Sequence, residues 1–377
     1  MMLNITQLSF WERKEYFENI DFLVIGGGIV GCSTAFHLKQ KYKDAKIVIL
    51  EKGYLPCGAS TKNAGFASFG GPFELYEDLT KHDAVLVWDT VQARYEGLLK
   101  LRELLGDKAI DFQQNGGWDL VTENVSNDAD KIRENLSSMN VEMQRITGCK
   151  EVFVEDATCP DRFGFNKVHS AFKIQLEGQV DTGKLMKAYH ELVIQSGVVS
   201  IFGIDVQHID QTSQCVVTNI GEIQASNVLV TVNGFAGQLL SDLDVAPARA
   251  QVVVTSPIKN LKVKGTFHYD YGYYFFRNFE NRILLGGGRN LDFEGERTTE
   301  FGTTDLIQTS LKKMLDELIL PSVDYQIEYS WSGIMGMGNA KNPIIKKVND
   351  NLGVGVRLGG IGVALGTNVG RKLADLF

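Results

Sequence analysis

The chain has 377 residues, of which 44% are apolar and 22% charged, and its net charge is −8. That length exceeds what one hydrophobic core usually supports and predicts two domains. The acidic balance, without any Lys/Arg block, argues against nucleic acid as a partner. No apolar run is long enough for a transmembrane helix, so no integral membrane segment is expected. Cysteines at 32, 57, 149, 159 and 215 are scattered without C-x-x-C spacing. They read as reduced thiols of a cytoplasmic protein with no metal framework. Glycine is abundant, at 39 residues, and gathers at 26–31, 58–71, 286–288 and 353–366. Such clustering marks particular loops rather than general flexibility.

In chain order, residues 1–20 lack the apolar run and small-residue cleavage site of a secretory signal. Trp11, Tyr16 and Phe17 among charges predict a short amphipathic helix packed on the first domain. Phe22–Ile25 reads as a buried strand and turns through glycines into a helix carrying Ile29, Ala35 and Leu38 at core spacing. KIVILEKG (46–53) is a second buried strand and completes a βαβ unit. Residues 80–105 predict one long helix with an apolar stripe of Val85, Trp88, Val91, Tyr95, Leu98, Leu99 and Leu101. A further helix should start near Asp181 or Thr182 and stop at Gly197. VLVTV (228–232) is another buried strand, and 250–290 alternates strand-like runs that suggest an antiparallel sheet. A helix near 304–319 follows, and the end of the chain reads as strand, glycine turn, helix.

Nucleotide-type pieces at both ends predict an α/β class, α+β overall. A Rossmann-type domain would be assembled from 21–80, 148–235 and 325–377, with 1–20 packed on it. A substrate domain of mixed sheet plus helices, residues 81–147 and 236–324, would be inserted.

Gly26, Gly28 and Gly31 form G-x-G-x-x-G between strand and helix. Their tasks are a tight turn, close backbone approach to a pyrophosphate, and tight helix–strand packing, with Ile29 and Val30 opening the helix. The helix N-terminus offers unpaired N–H groups and a positive dipole to phosphate. Glu51, followed by Lys52, ends the second strand where an acid can accept hydrogen bonds from ribose hydroxyls, and it disfavours a 2′-phosphate. The motif alone does not separate NAD from FAD.

Two further stretches, GASTKNAG after the second strand and RLGGIGVALG near the end, resemble the D-amino-acid-oxidase-like superfamily of FAD-dependent oxidoreductases. The resemblance spans residue 21 to the end and implies FAD as cofactor. By that match Ser60 and Thr61 would contact the pyrophosphate–ribityl region, and Asn63, Ala64 and Gly65 would border the flavin ring. The small residues of 57–71 would then leave room for a flat tricyclic ring. Gly359, Gly360, Ile361, Gly362 and Val363 would lie at the flavin's N1–C2=O edge, with Ile361 where many members have His. The first segment has no His and WSGIMGMGNAKNP (331–343) has no Cys, the family's attachment points, so the FAD is expected to be non-covalent.

For the substrate, YGYYFFRN (271–278) is the leading segment. On a strand Tyr271, Tyr273, Phe275 and Arg277 would share one face, an aromatic wall ending in a guanidinium suited to a carboxylate. The segment resembles Y-x-x-P-R of glycine oxidase, with Phe276 in place of proline. Arg277 and Tyr273 are therefore the expected substrate residues, with Arg289 and Arg357 as secondary candidates. His82, His169, His190, His208 and His268 show no metal spacing and are expected in ordinary surface or core roles. Residues 283–288 lack the lysine that sarcosine-oxidase-like members place over the flavin for O2, which by the resemblance favours a dehydrogenase passing electrons elsewhere; the acceptor itself, O2 or another, unidentified one, is left open. The expected reaction is hydride transfer from the carbon beside an amine nitrogen of an amino acid or related amine. The alternatives are 2-hydroxyacid oxidation on the same fold and an NAD-linked dehydrogenase.

Overall fold

The structure is a computed structural model and describes residues 4–377. The first strand, Ile20–Ile25, lies inside a mainly parallel sheet with Gly221–Val230 on one side and Ile47–Glu51 on the other. Leu352–Val356 extends the sheet beyond Gly221–Val230, and Val199–Phe202 beyond Ile47–Glu51. These strands read as continuous apolar runs because both faces are covered; Leu23, Val24, Val48 and Ile49 are fully buried. On one face the glycine-turn helix, Ile29–Lys41, packs against the C-terminal helix, Gly362–Asp375. A Cβ on Gly366 would stand 2.6 Å from Ile29 Cγ2, and one on Gly370 2.5 Å from Ser33 Cβ. Small residues thus let the two helices touch backbone to backbone.

The second sheet runs in the order 327–337, 246–255, 282–287, 274–279, 266–269, 117–121, 170–174, 153–156. Its core is aromatic: Trp118, Phe267 and Phe276 stack in succession at centroid separations of 5.1 and 4.8 Å. A two-stranded ribbon, Phe66–Ala67 with Gly178–Gln179, lies between the two sheets in sequence and backs the cleft described below.

Several expectations need correction. Residues 80–105 are not one helix; Pro72–Lys81 ends at His82, which is extended, and Ala84–Leu105 restarts under the Asp83 cap, whose carboxylate accepts from Val85 N at 2.9 Å. In the second helix Trp88, Val91, Leu98 and Leu101 are buried, whereas Val85 and Leu99 face outward. The strand predicted from Tyr271 starts at Tyr274. Asp270, Tyr271 and Gly272 have φ of +53°, +55° and +84°, a tight left-handed turn that precedes it. Strands 153–156, 170–174 and 327–337 belong to the second sheet, although the sequence reading grouped them with the dinucleotide-type pieces. They are short or mixed-polarity strands whose pairing is decided by distant partners. At the N-terminus Trp11 is 74% exposed. The segment is held instead by Ile5, by Phe17 and by Lys46 Nζ donating to the Lys14 and Glu18 carbonyls. Among the described residues no helix is long and apolar enough to cross a membrane.

Candidate active site

One cleft of about 1180 Å³ joins the two sheets. It is larger than a drug-sized pocket and has room for a dinucleotide and a small substrate. Its floor at one end is the glycine turn, where Gly26 takes φ +107°. A Cβ on Gly28 would stand 2.7 Å from Ser60 Oγ, and one on Gly31 would stand 1.9 Å from the Gly26 carbonyl oxygen. Gly31 therefore serves helix–strand packing and does not line the cleft, as the third glycine of such a turn should. Ser60 Oγ accepts from Ile29 N at 3.0 Å, so the loop at 58–62 is pinned to the helix start. Glu51 is buried and lines the cleft, its two oxygens accepting from Gly27 N and Gly53 N, each at 2.9 Å. Lys52 lies at the rim, 3.1 Å from Asp205.

A second helix start opens onto the same space. Gly359, Gly360, Ile361, Gly362 and Val363 all line the cleft, and Gly359 turns with φ +58°. A Cβ on Gly359 or Gly362 would meet nothing within 4 Å. Side chains at 359 and 362 would stand in open space, so this margin of the cleft is unobstructed. Two helix N-termini, an acid at a strand end and this open, small-residue margin together fit an adenine dinucleotide carrying a flat ring.

Not every expected residue reaches the cleft. Asn63 and Ala64 line it, with Asn63 Oδ1 accepting from Gly65 N at 2.8 Å. Thr61 does not: its hydroxyl donates to the Pro56 carbonyl at 2.5 Å and holds the loop. Gly65 is walled off too, and with φ +73° its Cβ position lies 2.3 Å from the Val180 carbonyl oxygen.

The largest correction concerns Arg277. Tyr273 and Phe275 line the cleft; Arg277, two residues on, does not. It is 3% exposed and lies behind Gly65 in a separate cavity of about 90 Å³, with Asp111, Gln179, Asp181 and Glu280 around it. Its Nε is buried without a hydrogen-bond partner. Burial pulls its pKa down to about 10, against the opposing pull of Asp181 and Asp111. Of the four residues expected on one strand face only Phe275 and Arg277 lie on the strand, Tyr271 and Tyr273 belonging to the turn before it, and Gly65 with Gln179–Asp181 closes over the Arg277 end.

Of the secondary candidates, Arg357 is spoken for: it donates to Asp244 Oδ2 at 2.6 Å. Arg289 is not. It follows Gly288 (φ +78°), is half-buried in the cleft wall, and stands 4.7 Å over the Phe293 ring. Phe293 in turn meets Tyr273 edge-on at 6.1 Å. Among the described residues its guanidinium has no hydrogen-bond or ion-pair partner. Lys62, 5.3 Å over Phe301, likewise lacks a carboxylate, whereas Lys81, Arg94 and Lys341 are matched by Glu77, Glu74 and Asp78.

Sequence reasoning missed His268. It lines the cleft, and its Nε2 lies 2.7 Å from the Glu177 carboxylate, which is wholly buried. Glu177 also accepts from Thr266 Oγ1 at 2.6 Å and from Ser68 Oγ at 3.0 Å. Asp119 pairs with His268 across adjacent parallel strands and accepts from Phe73 N at 3.0 Å. Burial disfavours the imidazolium, but Glu177, by charge and hydrogen bond, and Asp119 outweigh it and raise His268 to about 9. Burial likewise raises Asp119 to about 6, with His268 and the Phe73 N–H opposing. No spacing rule links residues 119, 177 and 268, so only the folded chain shows the cluster.

Known proteins agree with this architecture. The family described as DAO, FAD dependent oxidoreductase, matches residues 21–376. Gamma-glutamylputrescine oxidoreductase of Escherichia coli (strain K12) is 24% identical over 391 residues, covering 95% of this chain and 83% of that protein. Among solved structures, L-proline dehydrogenase from P. horikoshii superposes with a TM-score of 0.75 at 18% identity, over 95% of this chain and 93% of that one. Glycine oxidase from Geobacillus kaustophilus superposes with a TM-score of 0.74 at 21% identity, over 95% and 94%. These likenesses establish the fold, and the family match establishes the cofactor and the class of enzyme: the chain belongs to the DAO family of FAD-dependent oxidoreductases.

Proposed function

We propose that the chain oxidises the carbon beside the nitrogen of an amino acid or related amine to an imine, which water then hydrolyses. The cofactor would be held by Gly26, Gly28 and Ile29 at the pyrophosphate, by Glu51 at the ribose, and by Asn63, Ala64 and Gly359–Val363 along the ring. When bound, FAD supplies the acceptor for the carbon's hydrogen with its electron pair. The protein's own work is to bind, orient and keep water away. The observation that carries the reading is Arg289: a guanidinium without an acid partner, set in an aromatic wall of Tyr273, Phe275 and Phe293. Such a group is matched to one carboxylate in a fork of two hydrogen bonds. Relatives named for glycine, proline and gamma-glutamylputrescine point to the same substrate class. Alcohol oxidation would instead need a neutral base at the reacting hydroxyl. His268 is the side chain nearest to that description, and its carboxylate neighbours keep it a proton donor at neutral pH.

The test is an anaerobic bleaching screen of the flavin-loaded protein with amino acids, N-alkyl amines and 2-hydroxy acids. Loss of the oxidised flavin absorbance with an amine-bearing acid is the expected result. Bleaching by 2-hydroxy acids alone, or by nothing in the three groups, would sink the proposal.

A further inference from the structure

We propose that His268 is a second anion-binding residue of the cleft, so that the substrate carries two acidic groups, one met by Arg289 and the other by His268. The proposal rests on the amine-oxidation reading only for where the substrate lies.

The geometry is as follows. His268 faces Phe275 across one strand pair, and Phe275 faces Gly286 across the next. Arg289 comes three residues after Gly286, just past the strand's end at Gly287, so the two cations sit two strands apart across the sheet and are offset along it as well. Between them the wall is apolar: Phe66 packs edge-on against both His268 (5.2 Å) and Phe275 (5.7 Å). A ligand lying across this wall meets a positive group at each end and aromatic rings in the middle.

The charge on His268 is supplied from behind. Glu177 bonds Nε2, Asp119 flanks it from the neighbouring strand, and Glu74 acts from the helix that begins at Pro72. With Nε2 committed to Glu177, the other ring nitrogen, Nδ1, has no hydrogen-bond partner among the described residues. The protonated ring can then donate Nδ1–H to an anion in the cleft. A buried Glu with three donors would be a costly fixture for holding an ordinary core histidine. Its cost is offset if it keeps a cleft-facing imidazolium charged up to alkaline pH. The remaining cleft cations are poorer choices. Lys81, Arg94, Lys341 and Arg357 are, like His268, paired with acids, and Lys62, over Phe301 and without a carboxylate, is the rival that the experiment below separates.

The experiment uses the flavin-loaded protein and redox-inert probes: propionate against malonate, succinate, glutarate and adipate. Binding is read by calorimetry and by perturbation of the flavin spectrum. At pH 7 the best dicarboxylate should bind about tenfold or more tighter than propionate, the scale of one added charge-assisted hydrogen bond. His268→Gln should erase that advantage and leave propionate binding nearly as before, while Arg289→Gln should weaken both. If His268→Gln fails to fold, the wild type decides: the advantage should fade as pH rises through about 9, as the ring loses its proton. Equal affinity for mono- and dicarboxylates, an advantage untouched by His268→Gln, or one removed only by Lys62→Met would overturn the proposal. A dicarboxylate advantage in a protein that no amine bleaches would overturn the proposed reaction and leave the second anchor standing.

Discussion

At its glycine-lined part the cleft presents backbone and open space; elsewhere its wall presents side chains, among them His268, whose charge is set by the carboxylates behind it, and Arg289, which has no ion-pair partner among the described residues. The first part is made of two turn–helix units, Gly26–Ile29 and Gly359–Gly362, each specified by a few neighbouring residues. The second is made of Tyr273, His268, Glu177, Arg289 and Asp119, drawn from five separate segments. The first part can be inspected one stretch at a time. The second exists only once the strands have paired.

That contrast can be tested by substitution. The largest effect should come from Gly28→Val: a branched side chain would meet Ser60 Oγ, already 2.7 Å from the Cβ position, and fill the turn. The purified variant should carry no flavin, measured as the ratio of flavin to protein absorbance. Normal flavin content would mean that the cofactor does not approach this turn.

Next come the two arginines. Arg289→Ala should lower kcat/KM for a carboxylate substrate by about 2–5 kcal/mol without changing flavin content, the range for unpairing one partner of a buried charge pair. Arg277→Met should cost kcat/KM far less and leave the melting temperature unchanged or higher, because it removes a buried guanidinium that lacks a hydrogen bond at Nε. If the losses are reversed, the carboxylate anchor returns to Arg277.

The smallest effect is a pH dependence. The folded His268 value of about 9 lies above the unfolded value of 6.5. Its contribution to stability is therefore fully present below about pH 6.5 and is lost as pH rises through 9. Melting curves of wild type and His268→Gln should differ at pH 6 by up to a few kcal/mol and converge above pH 9. A gap that stays constant from pH 6 to 10 would show that the ring is not held charged.

Legibility in the sequence followed the same division. G-x-G-x-x-G, Glu51 and the turn at Gly359 were readable because a tight turn or a close approach demands particular residues at fixed spacing. The strands Ile20–Ile25 and Ile47–Glu51 were readable because burial on both faces leaves continuous apolar runs. The helix Ser126–Thr147 was not noticed, although Ala129, Ile132, Met139 and Met143 bury one side of it; its many charges hid a thin apolar stripe. Arg277 was misplaced for a different reason. Strand periodicity gives the face a residue shares, but not which stretch of that face another segment covers, and here Gly65 and Gln179–Asp181 cover it. His268 carries no legible signal in the sequence because a histidine's role depends on its neighbours, and Glu177 comes from 91 positions away in the chain.

The pairing of the first strand also bears on how the protein assembles in time. Val24 lies beside Ile49 on one side and beside Leu229 on the other, and Leu229 in turn lies beside Gly353. The central sheet therefore cannot close around its earliest strand until segments hundreds of positions apart have met. Contacts of such long range slow folding and prolong the exposure of unpaired apolar edges. Refolding from denaturant should accordingly be slow and concentration-sensitive, with aggregation competing until the last helix settles onto the first.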